Sequence, residues 1–99
     1  MKQQEQYAKI CQTALRKHYK IFRQTVNDPF FVDSPSKGRQ YLTKMLLDTR
    51  KEVVATIYIN KGDMNSRRIA EQILSNYLQI GSKYGERYYK RRLKILERQ

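Results

Sequence analysis

The sequence predicts an all-α protein: an antiparallel three-helix bundle with a basic C-terminal helical extension. Three stretches repeat apolar residues every three or four positions, which is the period of an amphipathic helix. Helix-stopping residues separate these stretches, at positions 27–29 and again at 60–62. Connections this short make consecutive helices antiparallel neighbours. A chain of 99 residues holds one such domain, which we assign to residues 1–85, with residues 86–99 as the extension.

The first helix is predicted to run from about Gln3 to Val26. Its apolar side is formed by Tyr7, Ile10, Cys11, Ala14, Leu15, His18, Phe22 and Val26. Pro29 ends the helix, because proline disfavours the α conformation in the residue before it and has no N–H to donate. We expect the apolar residues 30–32 that follow to cover one end of the core.

The second helix is predicted to begin at Ser34, an N-cap residue, with Pro35 at the first helical position. An apolar stripe at helical spacing then runs through Leu42, Met45, Leu46, Thr49 and Val53. Residues 53–59 are rich in β-branched side chains and would also suit a strand. No second strand is available to pair with them, so we predict a helix here too.

The third helix is predicted to begin within residues 63–66, which are rich in capping types. Its apolar side is formed by Ile69, Ala70, Ile73, Leu74, Tyr77, Leu78 and Ile80. We expect Gly81 and Gly85 to kink or end it, because glycine costs about 1 kcal/mol relative to alanine inside a helix. Residues 83–99 contain 7 basic and 2 acidic side chains, so the chain beyond Gly85 is predicted to be a basic extension.

The net charge of the chain restricts its function. Lys and Arg number 21, Asp and Glu number 9, and the balance of +12 is shared by both halves of the chain. A site built from many carboxylates is excluded, and an anionic partner is favoured. No apolar run approaches the length needed to cross a bilayer, so we expect no transmembrane segment. The single cysteine cannot form an internal disulfide, which fits a reducing compartment.

Catalytic and metal chemistry have little support in the sequence. Cys11 and His18 both lie on the apolar side of the first helix, where structural roles are expected. A cysteine nucleophile also needs activation and an oxyanion site, and a zinc site needs more ligands than this pair supplies. We therefore expect a protein that is not an enzyme, with no metal site and no covalently bound cofactor.

A basic segment near the C-terminus interleaves tyrosine with arginine and lysine. Such a segment neutralises phosphates and stacks bases in proteins that bind nucleic acids. The candidate contacts with RNA or with a second protein partner are Arg87, Tyr88, Lys90, Arg91 and Arg92. The alternative is a solvated basic helix whose tyrosines pack on the bundle.

A more specific pattern spans the first two helices. Ile21, Phe22 and Arg23 lie in the first helix. The second helix then contains, in order, Arg39, Tyr41, Lys44, Leu46, Asp48 and Arg50. Over roughly residues 10–80 this arrangement resembles the LYR-motif family of small mitochondrial three-helix proteins. Members of that family have Leu-Tyr-Arg in helix one, then Arg-x-Tyr, a basic residue, an aliphatic, an acid and an arginine in helix two.

The chain departs from the family pattern at three points. It has no literal Leu-Tyr-Arg, because an aliphatic residue stands for the leucine and an aromatic one for the tyrosine. A competing register places His18, Tyr19 and Lys20 on the motif, and the choice between the two registers stays open. Thr49 occupies the position where members usually have phenylalanine.

The resemblance implies a binding protein. Family members grip the mitochondrial acyl carrier protein, whose acyl chain on its phosphopantetheine arm threads between the three helices. The carrier-binding residues implied for this chain are Phe22, Arg23, Arg39, Tyr41, Lys44 and Arg50. An accessory subunit or assembly factor of a mitochondrial respiratory complex would then lie in the matrix or on the matrix face of the inner membrane. The alternative is a small basic ribosomal or RNA-associated protein.

Overall fold

The computed structural model describes residues 2–28, 35–59 and 64–97, which form three helices. Helix α1 spans Lys2–Val26, α2 spans Pro35–Ile59 and α3 spans Met64–Glu97. No strand occurs within these ranges. The predicted all-α three-helix bundle is therefore confirmed.

The ends of α1 and α2 that the structure describes agree with those predicted from the sequence. After Val26 the chain makes one tighter turn, in which the amide of Asp28 donates to the carbonyl of Thr25 at 3.2 Å. Helix α2 begins at Pro35, as expected for a proline at the first helical position. The β-branched residues 53–59 continue α2, so the helical prediction is confirmed there. The expectations for residues 30–32, Ser34 and residues 60–63 lie outside the described residues.

Consecutive helices run antiparallel, and α1 and α3 run parallel. Lys17 of α1 pairs with Glu52 of α2, whereas Phe22, further along α1, packs with Met45, earlier on α2. The molecule measures 53 × 20 × 18 Å. Its length matches α3, since 34 residues at 1.5 Å each give a helix of about 51 Å.

The buried apolar residues form two clusters, one towards each end of the bundle. The first, which we call the lower cluster, consists of Tyr7, Cys11, Ala14, Val53, Ala70 and Leu74. The second, the upper cluster, consists of Phe22, Val26, Met45 and Tyr89. Between the two clusters, α1 contributes His18 and α2 contributes Thr49, whose buried hydroxyl donates to the carbonyl of Met45 at 2.7 Å. Polar side chains thus interrupt the core at its middle.

Helix α3 continues without interruption past Gly81 and Gly85, so the expected stop is not observed. Both glycines are buried and face side chains of the other helices. A Cβ atom at Gly81 would lie 2.7 Å from Cδ1 of Leu15, and one at Gly85 would meet Cδ1 of Leu42. The glycines allow α3 to pack closely against α1 and α2. The described part of the predicted extension is therefore the last part of α3, and its Tyr89 belongs to the upper cluster.

Candidate functional site

A groove of about 230 Å³ lies between the later part of α1 and the first half of α2. We call it the α1–α2 groove. Three of the six residues predicted to bind the carrier line it: Phe22, Tyr41 and Lys44. Its remaining lining residues are His18, Ile21, Thr25, Met45 and Asp48.

The helical repeat explains why these residues meet. On α2, Tyr41, Lys44 and Asp48 are spaced by three and four residues, so they share one face. Phe22 of α1 is 3% exposed and forms part of the wall, whereas Ile21 beside it remains 49% exposed at the groove. The groove therefore joins an apolar wall to one cationic and one anionic side chain.

A second, larger groove of about 750 Å³ extends the same α1–α2 seam in the other direction. An ion pair lies between the two grooves. The ammonium of Lys17 donates to Oε1 of Glu52 at 2.7 Å, and Nε2 of His18 lies 3.5 Å from Oε2 of the same carboxylate. The hydrogen bond from Lys17 is the main reason that the pKa of Glu52 falls below its ordinary value. The His18 nitrogen is buried and has no hydrogen-bond partner among the described residues.

Arg23 lies outside the α1–α2 groove, on the side of α1 that faces α3. Its guanidinium carbon is 6.0 Å from the ring centroid of Tyr19 and 5.4 Å from that of Tyr88. These two rings pack edge to face, and both contact Phe22. Burial raises the pKa of the Tyr19 hydroxyl, although the charges of Arg23 and Arg91 oppose that shift. Phe22 thus links the groove to the aromatic cluster that holds Arg23.

Arg39 and Arg50 lie on another side of α2. Eleven residues separate them, which is close to three full turns, so they share one exposed face. Lys44 lies about midway between them in sequence and points away from that face by more than a right angle. Within the described residues neither arginine pairs with a carboxylate. The six residues are therefore distributed over three surfaces.

The residues predicted to contact RNA or a second partner also separate into two groups. Tyr88 is half-buried, and its hydroxyl accepts a hydrogen bond from the amide of Asn27 at 2.6 Å. Arg92 donates to Oδ1 of the same asparagine at 3.1 Å. Through Asn27, these two side chains connect α3 to the C-terminal end of α1 by hydrogen bonds. The other three, Arg87, Lys90 and Arg91, are exposed.

Cys11 is fully buried in the lower cluster. Burial raises the pKa of its thiol to about 11, so the thiol stays protonated at neutral pH, and the thiolate is the reactive form. Among the described residues, no group of three or more histidines, cysteines or carboxylates is placed to hold a metal ion. Within the same residues, no helix has the length and hydropathy needed to cross a membrane.

Five residues that line the groove are absent from the predicted set: His18, Ile21, Thr25, Met45 and Asp48. Asp48 follows Lys44 by one helical turn, so the sequence spacing alone places it on the same face of α2 as Lys44. The position of His18 on the apolar side of α1 predicts a partly buried residue with a structural role. Comparison with known proteins finds no family model, no curated protein and no solved structure that matches this chain.

Proposed function

We propose that this chain is a non-catalytic adaptor of the LYR type. It binds an acidic acyl carrier protein and serves as an accessory subunit or assembly factor of a mitochondrial respiratory complex. The observation that carries the proposal is the α1–α2 groove, because it gathers Phe22, Tyr41 and Lys44. These three residues come from two different helices, and the likeness to the LYR pattern predicts each of them.

The groove has the chemistry that an acyl chain and its acidic carrier require. Ile21 offers exposed apolar surface at the groove, where each buried methylene contributes about 0.8 kcal/mol, and the nearly buried Phe22 and Met45 form the wall behind it. Lys44 is exposed at the same groove and supplies a cation for the carrier surface.

The charges favour an acidic protein as the partner. Arg23, Arg39, Lys44 and Arg50 form no ion pair with a carboxylate among the described residues. Together with the net charge of +12, they attract an acidic carrier over a distance and accelerate association. Such steering weakens as the salt concentration rises.

The geometry favours the register in which Ile21, Phe22 and Arg23 occupy the motif. Phe22, the central aromatic residue of this register, lines the groove. Tyr19, the central residue of the other register, packs against Tyr88 in the aromatic cluster. From the resemblance to the LYR-motif family we also propose that the chain lies in the mitochondrial matrix or on the matrix face of the inner membrane.

RNA binding is the second candidate, favoured by the exposed basic side chains of Arg87, Lys90 and Arg91. The half-buried Tyr88 weakens it, because that ring already packs against Tyr19 and Phe22 and is less available for base stacking. We therefore rank the adaptor function first.

The proposal is tested by co-expressing the full chain with a phosphopantetheinylated acyl carrier protein. We expect co-purification, with an intact mass that shows the acylated carrier. Lys44→Glu should weaken the complex at least tenfold, because it replaces a cation at the groove with an anion that repels the acidic carrier.

Arg68→Glu is the matched control, since Arg68 is exposed on α3 and makes the same change in net charge. It should leave binding within about twofold. Absence of the carrier from the eluate, or equal losses in the two variants, would remove the basis for an adaptor that uses this groove.

A further inference from the structure

The outward side of α3 combines exposed apolar residues with a row of basic ones. Ile80 and Tyr84 are one helical turn apart, and 46% and 57% of their surfaces are exposed. Basic residues follow on the same side at intervals of three or four positions, and all of them are exposed. We call this surface the α3 outer face and define it by Ile80, Lys83, Tyr84, Arg87, Arg91 and Lys94.

The positive charge of the α3 outer face is not compensated within the described part of the chain. Lys83, Arg87, Arg91 and Lys94 form no ion pair with a described carboxylate. At its edge, Lys90 pairs with Glu86 at 3.0 Å. Like charges at intervals of four residues repel one another and destabilise the helix. Binding of an anionic partner would reduce this repulsion.

The apolar residues decide which class of anionic partner fits. A nucleic acid backbone would pair with the arginines and leave Ile80 without an apolar contact. An amphipathic helix covers both parts, because its apolar side chains pack on Ile80 and Tyr84 while its carboxylates pair with the basic row. Residues four apart on either helix advance by the same 6 Å, so a helix packed nearly parallel or antiparallel to α3 keeps its charges in register.

We propose that the α3 outer face is a docking surface for an acidic amphipathic helix of a partner protein. The side chains that line the α1–α2 groove all come from α1 and α2, so the two surfaces are separate. A partner bound to α3 therefore leaves the groove accessible. This inference does not depend on whether the groove holds an acyl carrier.

The test uses a synthetic helical peptide as the probe and the full chain as the receptor. One half of the peptide carries leucines at i and i+4, and the other half carries glutamates at i, i+4 and i+7 on the same face. An isomer of identical composition has the glutamates rotated to the opposite face. Fluorescence anisotropy should show that the first peptide binds at least tenfold more tightly than its isomer.

Variants of the chain localise the binding. Arg87→Glu with Arg91→Glu should weaken binding of the patterned peptide at least tenfold, and Ile80→Ser about threefold. The control is Arg16→Glu with Lys20→Glu, two exposed residues one turn apart on α1, which changes the net charge by the same amount. Circular dichroism checks that each variant is folded. Arg87→Gln with Arg91→Gln removes the two charges without reversing them, and it should weaken binding of the patterned peptide by a smaller factor.

Two results would overturn the proposal. Equal affinity for the two isomers, or equal losses in the α3 and α1 double variants, would reduce the binding to general charge attraction. Tighter binding of a single-stranded oligouridylate or of anionic phosphatidylserine vesicles, dependent on Arg87 and Arg91 but unaffected by Ile80→Ser, would assign the surface to that other class of ligand.

Discussion

Gly38 is the residue at which the backbone of α2 meets the ring of Tyr89. A Cβ atom at position 38 would overlap three atoms of that ring. Tyr89 is 6% exposed and lies in the upper cluster, so the ring has no free space into which to move. The absence of a side chain at position 38 is therefore what allows the first turns of α2 to pack against the last part of α3.

The first stability prediction follows from this contact. Helix propensity alone favours alanine over glycine by up to about 1 kcal/mol, whereas overpacking a core costs about 1–3 kcal/mol. We expect Gly38→Ala to lower the free energy of unfolding by about 1–2 kcal/mol, because the ring cannot yield. Thermal and urea denaturation followed by circular dichroism measure the change.

Gly81→Ala is the matched control for this prediction. Its new Cβ would approach only the tip of Leu15, a flexible side chain, so strain and helix propensity oppose each other and the net change should be small. If Gly38→Ala were as stable as the parent chain, Tyr89 would have to lie elsewhere.

At the scale of the elements, one ion pair ties α1 to α2. Glu52 receives a hydrogen bond from Lys17 and lies beside His18, and these three residues stand between the two grooves of the α1–α2 seam. The side chain of Lys17 is 60% exposed, so solvent screens the pair and its contribution is modest. The pair nevertheless joins the two helices beside the candidate site.

The second prediction concerns the pH dependence of this pair. The pKa of Glu52 in the folded chain lies below its ordinary value of 4.5, chiefly because of the hydrogen bond from Lys17. Its stabilising contribution is thus complete above that ordinary value and is lost as the pH falls through the lower folded pKa. Glu52→Gln should cost about 0.5 kcal/mol at neutral pH and nothing at strongly acidic pH.

Urea denaturation across this pH range measures the effect, and a double-mutant cycle with Lys17→Met isolates the pair. A coupling energy that did not fall on acidification would contradict the assignment of the shift to the Lys17 hydrogen bond.

Helix α3 is longer than its sequence predicts. Two glycines four residues apart predict an interruption, yet the helix continues to Glu97. The cost of glycine in a helix is about 1 kcal/mol per residue, and close packing of α3 against Leu15 and Leu42 offsets it. Glycine in a helix therefore marks an interhelical contact here.

At the scale of the whole molecule, the core is small and is divided between the two ends of a 53 Å bundle. A chain of this size has a total stability of about 5–15 kcal/mol, so each cluster is a large part of it. The upper cluster depends on α3 beyond Gly85, because it contains Tyr89 and packs against Tyr88. The basic end of the chain thus contributes to the core as well as to the charge.

The third prediction tests this dependence. Tyr89→Ala should lower the free energy of unfolding by about 3 kcal/mol, as expected for removing a large buried aromatic side chain. Tyr84→Ala, five residues earlier and 57% exposed, should change it by less than about 0.5 kcal/mol. Denaturation curves of the two variants make the comparison directly.

Deleting residues 86–99 should likewise destabilise the chain, because the deletion removes Tyr89. A truncated chain as stable as the parent would show that the upper end of the bundle does not need α3 beyond Gly85. For the same reason, charge reversal at exposed residues is a cleaner test of partner binding than truncation.

The candidate site was partly predictable. Phe22, Tyr41 and Lys44 were identified from their order along the chain, and the groove brings them together. Arg23, Arg39 and Arg50 were identified from the same pattern but lie on two other surfaces. A pattern along the chain fixes the side of a helix on which a residue lies, and it does not specify which neighbouring helix faces that side.

By itself the sequence determined the helices of this protein, their order and the sign of its charge. These properties depend on periodicity, on caps and on composition, all of which act over a few residues. Only the tertiary structure decided that Gly81 and Gly85 are contacts, that Tyr88 is committed to packing and that the core is split by His18 and Thr49. Those outcomes depend on which surfaces meet across the bundle, and the free energy that selects them comes from packing between residues far apart in the chain.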